Sequence, residues 1–212
     1  MADGATVPIR YLSRMALWTL EDAELNNLFD QTFLNEPKEV QNLLKARGVT
    51  RGDLARFELR IAIVAHDIWT HYRLNVQPDG FKAQIVCADR KACTVYKRCL
   101  DSVITAWLEK QGVPAGEAAS QATAMSACIY SSNGKEDLKP GNADLVKYFL
   151  DEAAEKRAIE RFKDPASPLA FLIVCDKLLT GFDAPIEQAM YLDSPLVDHG
   201  LLQAIARVNR VY

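Results

Sequence analysis

Three polar side chains share one face of an otherwise apolar segment, LLQAIARVNRVY, at residues 201–212. At about 100° per residue, Gln203, Arg207 and Arg210 fall within roughly 60° of one another on a helix, and the apolar residues project from the opposite side. A surface helix with solvated arginines would explain this pattern. The alternative is a phosphate-binding face, because the planar guanidinium group matches phosphate oxygens and keeps its charge.

Composition limits the kinds of protein that could carry such a face. The chain has 212 residues, 49% of them hydrophobic, and a formal net charge of -3. This predicts one globular domain, or one domain with a small appendage, and argues against a general polyanion binder. Any contact with nucleic acid must therefore come from a local group of lysines and arginines.

The cysteines and the apolar runs indicate the compartment. Five scattered cysteines form no CxxC pair, which predicts reduced core thiols, and the three histidines add no metal-ligand spacing, so we expect no metal site. The N-terminal sequence lacks the apolar core of a signal peptide, and no apolar run approaches the roughly 18 residues of a membrane span. The sequence predicts a cytoplasmic protein that is not bound to a membrane.

Four short apolar runs alternate with helical patterns in the second part of the chain. We expect strands at 83–88, 125–130, 169–175 and 188–193. The helices expected around them lie at about 90–111, stopped by Gly112 and Pro114, and, as one helix or two, at 143–163. Continuous apolar strands separated by helices predict a parallel sheet covered on both faces, in a three-layer α/β/α fold.

The region before this sheet is helical in pattern. A strand is expected at 5–12, helices at 21–46, and a long amphipathic helix from about 51 to 74 with Thr50 as its N-cap. We therefore divide the chain into an entry strand and helical segment at 1–75 and an α/β domain at 76–212.

In an open parallel sheet, ligands bind at the carboxyl ends of the strands, so the loops after the strands are the candidate sites. The strand at 169–175 is followed by DKLLTGFDAP. Gly181 would allow the backbone to approach a ligand, Thr180 offers a hydroxyl, and Asp183 a carboxylate. An ordinary βα loop with a turn glycine and a solvated aspartate is the alternative.

The loop after the first of these strands carries two cations. Arg90 and Lys91 open the next helix, where they either lie in solvent or hold a phosphate of a nucleic-acid backbone. The loop at 131–142 has the same potential through Ser131, Ser132 and its backbone amides, with less specificity.

Two acidic patterns imitate catalytic motifs. LDEA at 150–153 resembles a Walker B box, but its surroundings have helical spacing and no GxxxxGK[ST] phosphate loop occurs in the sequence. Pro78-Asp79 and Asp89-Arg90-Lys91 imitate the PD…(D/E)xK signature of restriction nucleases. That chemistry requires the acid and the lysine on the same face of a strand, whereas Asp89 and Lys91 stand where a strand gives way to a helix. We interpret both patterns as coincidences.

Several stretches together resemble one family, the restriction (R) subunit of type I restriction-modification enzymes. They are LIVCDKLLTGFDAP at 172–185, YLDSPLVDHGLLQAIARVNR at 191–210, FKDP at 162–165, GFKAQIVCADRKA at 80–92 and DGATVPI at 3–9. The first two resemble motifs V and VI of superfamily 2 helicases. The resemblance implies a RecA-like fold, the second lobe of the motor, carried by a fragment truncated after motif VI.

The resemblance also implies roles for the candidate residues. Arg207 and Arg210 are similar to the arginine fingers that reach the ATP γ-phosphate, with Gln203 before them. Asp183 is similar to the residue that lies near the nucleotide ribose or near the finger arginines. Thr180 and Gly181 are similar to a DNA-backbone contact, and Arg90 and Lys91 are weaker candidates for the same role.

What the resemblance implies about cofactors and partners concerns the parent enzyme, an ATP-dependent type I site-specific deoxyribonuclease. ATP and Mg²⁺ would be held mainly by the absent first lobe, so neither is expected to bind the fragment, which should be inactive alone. The implied partners are double-stranded DNA, the first RecA-like lobe and nuclease domain of the same subunit, and the methyltransferase and specificity subunits.

Two other functions remain open from the residues. One is the motor lobe of another superfamily 2 enzyme, such as a type III restriction enzyme or a repair helicase. The other is a degenerate α/β module that only binds proteins, although such a module would have no use for the coincidence of polar groups described above.

Overall fold

A computed structural model describes residues 58–175, 177–178 and 182–194 of the chain. The predicted strand at 5–12, the helices at 21–46, the N-cap Thr50 and the arginine segment at 201–212 lie outside these residues. The predicted helix at 51–74 is described from Glu58 onward, and its described part, α1, is Glu58–Asn75.

Within the described residues, four parallel strands form the sheet, as the alternation of apolar runs predicted. They are β1 (Lys82–Cys87), β2 (Ser126–Ile129), β3 (Phe171–Val174) and β4 (Glu187–Asp193). Their order is β2-β3-β1-β4. Ile85 of β1 pairs with Ile173 of β3 on one side and with Tyr191 of β4 on the other.

In the part of the chain that the structure describes, four further helices connect and cover the strands. They are α2 (Arg90–Lys110), α3 (Ala115–Ala124), α4 (Ala143–Lys147) and α5 (Glu152–Lys163). The predicted stop of α2 is confirmed: Gly112 follows it with a φ of 90°, a conformation that glycine adopts without strain. Short 3-10 turns lie at Gln77–Asp79 and Gly134–Glu136.

The helix α3 was not expected from the sequence. Its segment, AGEAASQATA, has no stripe of large apolar residues, and only Ala118 and Ala122 are buried. Alanine favours a helix but gives little hydrophobic periodicity, so the pattern used to find the other helices is absent here.

The alternation of side chains along the strands builds two cores. On the first face, Ile85, Phe171 and Ile173 pack with residues of α1 and α2. On the second face, Val86, Leu172 and Val174 pack with α5 and with the segment that leads into β4. The sheet is therefore buried on both faces, which is the three-layer α/β/α arrangement of the RecA-like fold.

The connections use both faces with one handedness. The chain passes from β1 to β2 through α2 and α3 on the first face, and returns from β2 to β3 through α5 on the second face. The two crossovers run in opposite directions on opposite faces, so they have the same hand, as expected of parallel βαβ units.

The helix α1 belongs to the first core, although the sequence placed it in the helical segment before the sheet. Its Trp69 lies 5.5 Å from the ring of Trp107 in α2, and its Tyr72 lies 4.4 Å from the ring of Phe171 in β3. Within the described residues, no helix is long and apolar enough to cross a membrane.

Candidate functional site at the carboxyl edge of the sheet

Because the strands are parallel, their carboxyl ends lie along one edge of the sheet, and the chain leaves that edge after Cys87, Ile129, Val174 and Asp193. After β1, Asp89 caps the N-terminus of α2, since its Oδ1 accepts a hydrogen bond from the backbone nitrogen of Ala92 at 2.9 Å. Arg90 and Lys91 therefore occupy the first turn of a 21-residue helix.

The two cations of this turn have different surroundings. The Arg90 guanidinium pairs with the carboxylate of Asp137 at 2.5 Å and reaches the carbonyl of Ser131 at 3.4 Å. Lys91 is exposed, and no ion pair joins it to another described residue. The positive charge of Arg90 is thus largely neutralised within the protein, whereas that of Lys91 is presented to solvent.

Asp137 organises the loop after β2. Besides Arg90, its carboxylate accepts hydrogen bonds from the hydroxyl of Ser132 at 3.0 Å and from the backbone nitrogen of Asn133 at 2.8 Å. Burial opposes the ionisation of Asp137, but these hydrogen bonds and the arginine outweigh it, so the pKa of Asp137 is lowered. Asp137 was not among the predicted site residues, because nothing in the sequence links it to an arginine 47 residues away.

The segment after β3 returns over the second face of the sheet. Lys177 pairs with Glu155 of α5 at 2.5 Å, close to the carboxyl edge. Leu178 has a φ of 61°, a left-handed conformation that is strained for leucine. The neighbouring residues Thr180 and Gly181, predicted to contact DNA, lie outside the described part of the chain.

Asp183 is exposed between two buried residues, Phe182 and Ala184. The Phe182 ring lies 6.2 Å from that of Phe162, which in turn lies 5.7 Å from the Lys82 ammonium at the beginning of β1. The Phe182 side chain therefore packs toward the beginning of β1, whereas Arg90 follows the end of that strand.

At the end of β4, the Asp193 carboxylate joins three elements. It accepts hydrogen bonds from both terminal nitrogens of Arg60 in α1, one of them at 2.6 Å, and from the hydroxyl of Tyr96 in α2 at 2.6 Å. Burial, reinforced by the negative charge of Asp193, raises the pKa of Tyr96, and the hydrogen bond to Asp193 raises the pKa of Arg60. We call Arg60, Tyr96 and Asp193 the Asp193 clamp.

Little in the sequence pointed to the Asp193 clamp. Asp193 ends a predicted strand, and the loop after it was a candidate site, but its partners lie 133 and 97 residues away. A second contact joins the same two elements, because Nδ1 of His71 in α1 lies 3.0 Å from the hydroxyl of Tyr191 in β4.

The cysteines behave as core residues. All five are free and buried. Burial raises the pKa of Cys87 and Cys93, and raises that of Cys128 to about 12, so the unreactive thiol is favoured over the thiolate. Among the described residues, no group of three or more His, Cys, Asp or Glu side chains could hold a metal ion.

The two imitations of catalytic motifs are explained by helix capping and by distance. Asp151 caps α5 through a 2.7 Å hydrogen bond from the backbone nitrogen of Ala154, and Glu152 pairs with Lys156. Asp79 lies in the turn before β1, whereas Asp89 follows β1, so the length of the strand separates them. Neither arrangement brings the acidic residues of its pattern together among the described residues.

A cavity of about 260 Å³ lies at the opposite, amino edge of the sheet. Lys82 is among its lining residues, but the lysine ammonium already donates to the carbonyls of Arg161, Asp164 and Ser167 at 3.2, 2.7 and 3.1 Å. This lysine closes the C-terminal end of α5 and is not available to a ligand.

The fold and the polar groups at its edge define a RecA-like α/β domain. A protein-family model described as type I restriction enzyme subunit R domain 3 matches residues 109–212. The chain is 31% identical to the type I restriction enzyme HindI endonuclease subunit of Haemophilus influenzae and 32% identical to the putative type I restriction enzyme MjaIXP endonuclease subunit of Methanocaldococcus jannaschii. Both alignments cover 99% of this chain and 18% of the relative.

A third relative, the putative MjaVIIP endonuclease subunit of the same archaeon, is 38% identical over 72% of this chain and 14% of its own length. The chain belongs to the family of type I restriction enzyme R subunits. It spans about a fifth of the length of these relatives.

Proposed function

We propose that this chain acts as the second motor lobe of a type I restriction enzyme R subunit, within an assembly that uses ATP hydrolysis to translocate double-stranded DNA before cleaving it. The observation that carries the proposal is the R-subunit similarity, which extends over 99% of the chain. The parallel sheet supports it, since its carboxyl-edge loops are where such a fold binds ligands.

On the DNA side, we assign backbone contacts to Thr180, Gly181, Arg90 and Lys91. The position of the two cations in the first turn of α2 supports this, because helix N-termini attract phosphate groups. Since Asp137 neutralises Arg90, we expect Lys91 to contribute more to the attraction of DNA.

On the ATP side, we assign Arg207 and Arg210 as arginine fingers, with Gln203 and Asp183 beside the nucleotide. A guanidinium group stabilises the negative charge that spreads over the transferring phosphoryl group, an effect worth roughly 10³-fold or more in rate.

The Mg²⁺ that neutralises phosphate charge in such reactions does not fit the described residues, which offer no group of acidic ligands. The sequence also has no GxxxxGK[ST] phosphate loop. We therefore assign the binding of Mg²⁺ and of most of the ATP phosphates to a first RecA-like lobe of the same subunit. The nuclease domain would be a further part of that subunit. The methyltransferase and specificity subunits complete the proposed assembly, which we assign to the cytoplasm.

The arginine fingers are tested in an R subunit that carries this sequence and is assembled with its partner subunits. We expect Arg207→Ala or Arg210→Ala to lower ATP turnover by roughly 10³-fold while ATP binding changes little. Arg157→Ala is the matched control, because Arg157 is exposed on α5 and makes no ion pair with another described residue. Equal loss of binding and turnover would argue against a finger role.

The isolated chain provides a second test. We expect it neither to hydrolyse ATP nor to cleave DNA, since each site would need groups from elsewhere in the subunit. ATP turnover above that of a contamination control would contradict the proposal, and so would Mg²⁺-dependent nicking of plasmid that Asp89→Ala abolishes.

The DNA contact of Lys91 is tested by the salt dependence of binding. In the assembled enzyme, Lys91→Ala should weaken non-specific DNA binding and lower the salt slope by about 1. Lys110→Ala is the control, because Lys110 is also exposed but lies at the other end of α2, about 30 Å away. Indistinguishable slopes for the two variants would remove Lys91 from the DNA-binding residues.

A further inference from the structure

The Asp193 clamp holds the residue from which the chain leaves the sheet toward the predicted arginine fingers. Asp193 is the last residue of β4, and 13 residues lie between it and Arg207. Any change in where β4 ends changes where that segment begins. Three hydrogen bonds fix this point from two different helices.

We propose that Arg60 and Tyr96 are positioning residues for ATP hydrolysis, acting through Asp193. The inference rests on the proposed function, because it assigns a role to these residues only if the segment after Asp193 supplies groups to ATP. It adds that the helical region before the sheet, through Arg60, takes part in the motor's ATP site without touching ATP.

The geometry of the clamp suits positioning. The planar guanidinium of Arg60 binds both carboxylate oxygens of Asp193, which fixes the direction of the carboxylate as well as its distance. The Tyr96 side chain is fully buried in the first core, so its hydroxyl is a stationary donor. A rigid donor pair on one carboxylate leaves the end of the strand little freedom.

The strand itself needs this support. Among the described strands, β4 pairs only with β1, so it lies at the edge of the described sheet. Its residues Met190 and Tyr191 are half-buried and Leu192 is 43% exposed. Its packing is therefore weaker than that of β1 or β3, which are buried throughout, and polar contacts with α1 and α2 hold its carboxyl end in place.

Misplacement of catalytic groups is costly in rate. A displacement of about 1 Å can lower turnover by roughly a hundredfold, even when the altered residue lies far from the reacting atoms. We therefore expect loss of the clamp to lower kcat for ATP hydrolysis roughly tenfold to a hundredfold, with little change in the binding of ATP.

The test compares two buried tyrosines in the assembled enzyme. Tyr96→Phe removes only the hydroxyl that binds Asp193. Tyr130→Phe is the matched control, because the Tyr130 hydroxyl donates to the carbonyl of Leu145 at 2.9 Å, away from β4. Arg60→Gln and Arg60→Lys form a second pair, since lysine keeps the charge and glutamine does not.

The measurements are kcat, the dissociation constant for ATP, and the thermal unfolding temperature of each variant. We expect Tyr96→Phe and Arg60→Gln to lower kcat more than Tyr130→Phe does at an equal loss of stability, and Arg60→Lys to restore part of the rate. If kcat follows stability alone across all four variants, the clamp is merely structural and the inference is overturned.

The failure of the inference can be told from failure of the proposed function. If Arg207→Ala and Arg210→Ala leave ATP turnover intact, the proposed function fails whatever the clamp variants do. If they abolish turnover while Tyr96→Phe and Arg60→Gln match the control, the motor assignment stands and the clamp has no positioning role. Should Arg60→Gln fail to fold, the comparison of Tyr96→Phe with Tyr130→Phe decides the question.

Discussion

A buried amide in the middle of the sheet gives a sharp test of how the second core is packed. Gln84 lies at the centre of β1, is 0% exposed, and neither its amide nitrogen nor its amide oxygen has a hydrogen-bond partner among the described residues. It pairs with Leu172 of β3 and Met190 of β4. An amide buried without partners costs about 1–3 kcal/mol. Since methionine has a similar length and shape, Gln84→Met should remove that cost.

We therefore expect Gln84→Met to raise the free energy of unfolding of the 212-residue chain by about 1–3 kcal/mol, or the unfolding temperature by about 2–4 °C for each kcal/mol. Urea denaturation and thermal unfolding both measure this. Gln121→Met on the exposed face of α3 is the control and should change stability by no more than about 0.5 kcal/mol. A variant less stable than the parent chain would refute the reasoning, since it would mean that the Gln84 amide is hydrogen-bonded to a part of the chain outside the described residues.

Two further predictions concern charged groups. Lys82→Met should destabilise the chain by about 1.5–3 kcal/mol in urea denaturation, because a carbonyl in the last turn of α5 and two carbonyls in the segment after it lose a charged donor; an unchanged urea midpoint would contradict this. The lowered pKa of Asp137 means that its stabilising contribution is present above the ordinary aspartate pKa and is lost as the pH falls through the folded value. Between about pH 6 and pH 3, the free energy of unfolding of Asp137→Asn should therefore fall by less than that of the parent chain. Equal falls in the two proteins would refute this prediction.

The strands could be predicted because each is a short apolar run that the fold buries on both faces. β1 and β3 show this directly, since all their residues are buried. The helix α3 could not be predicted in the same way, because its burial is limited to two alanines and leaves no periodic pattern. The order of the strands also had no signal in the sequence, since any of several orders would bury the same residues.

In the candidate site, too, the features that depend on local sequence could be predicted and those that depend on tertiary contacts could not. The positions of Arg90 and Lys91 follow from local information, because a strand end and an aspartate N-cap place them in the first turn of a helix. The partner of Arg90 does not follow from local information, since Asp137 reaches Arg90 only through the tertiary arrangement of β1 and β2. The Asp193 clamp is still less local, because it needs α1, α2 and β4 to be in place before its three residues meet.

Both arginines described near the carboxyl edge are neutralised by a carboxylate: Arg90 by Asp137 and Arg60 by Asp193. Together with the net charge of -3, this leaves the described part of the edge without a broad positive field. Lys91 and Lys135, the latter in the loop after β2, are exposed lysines there, so we expect this lobe to supply only a few phosphate contacts. Each phosphate contact steepens the salt dependence and slows release of DNA. A motor that must release and rebind the backbone at every step is better served by a few local contacts, such as Lys91 and the proposed Thr180 loop, than by a basic surface that would hold DNA in one place.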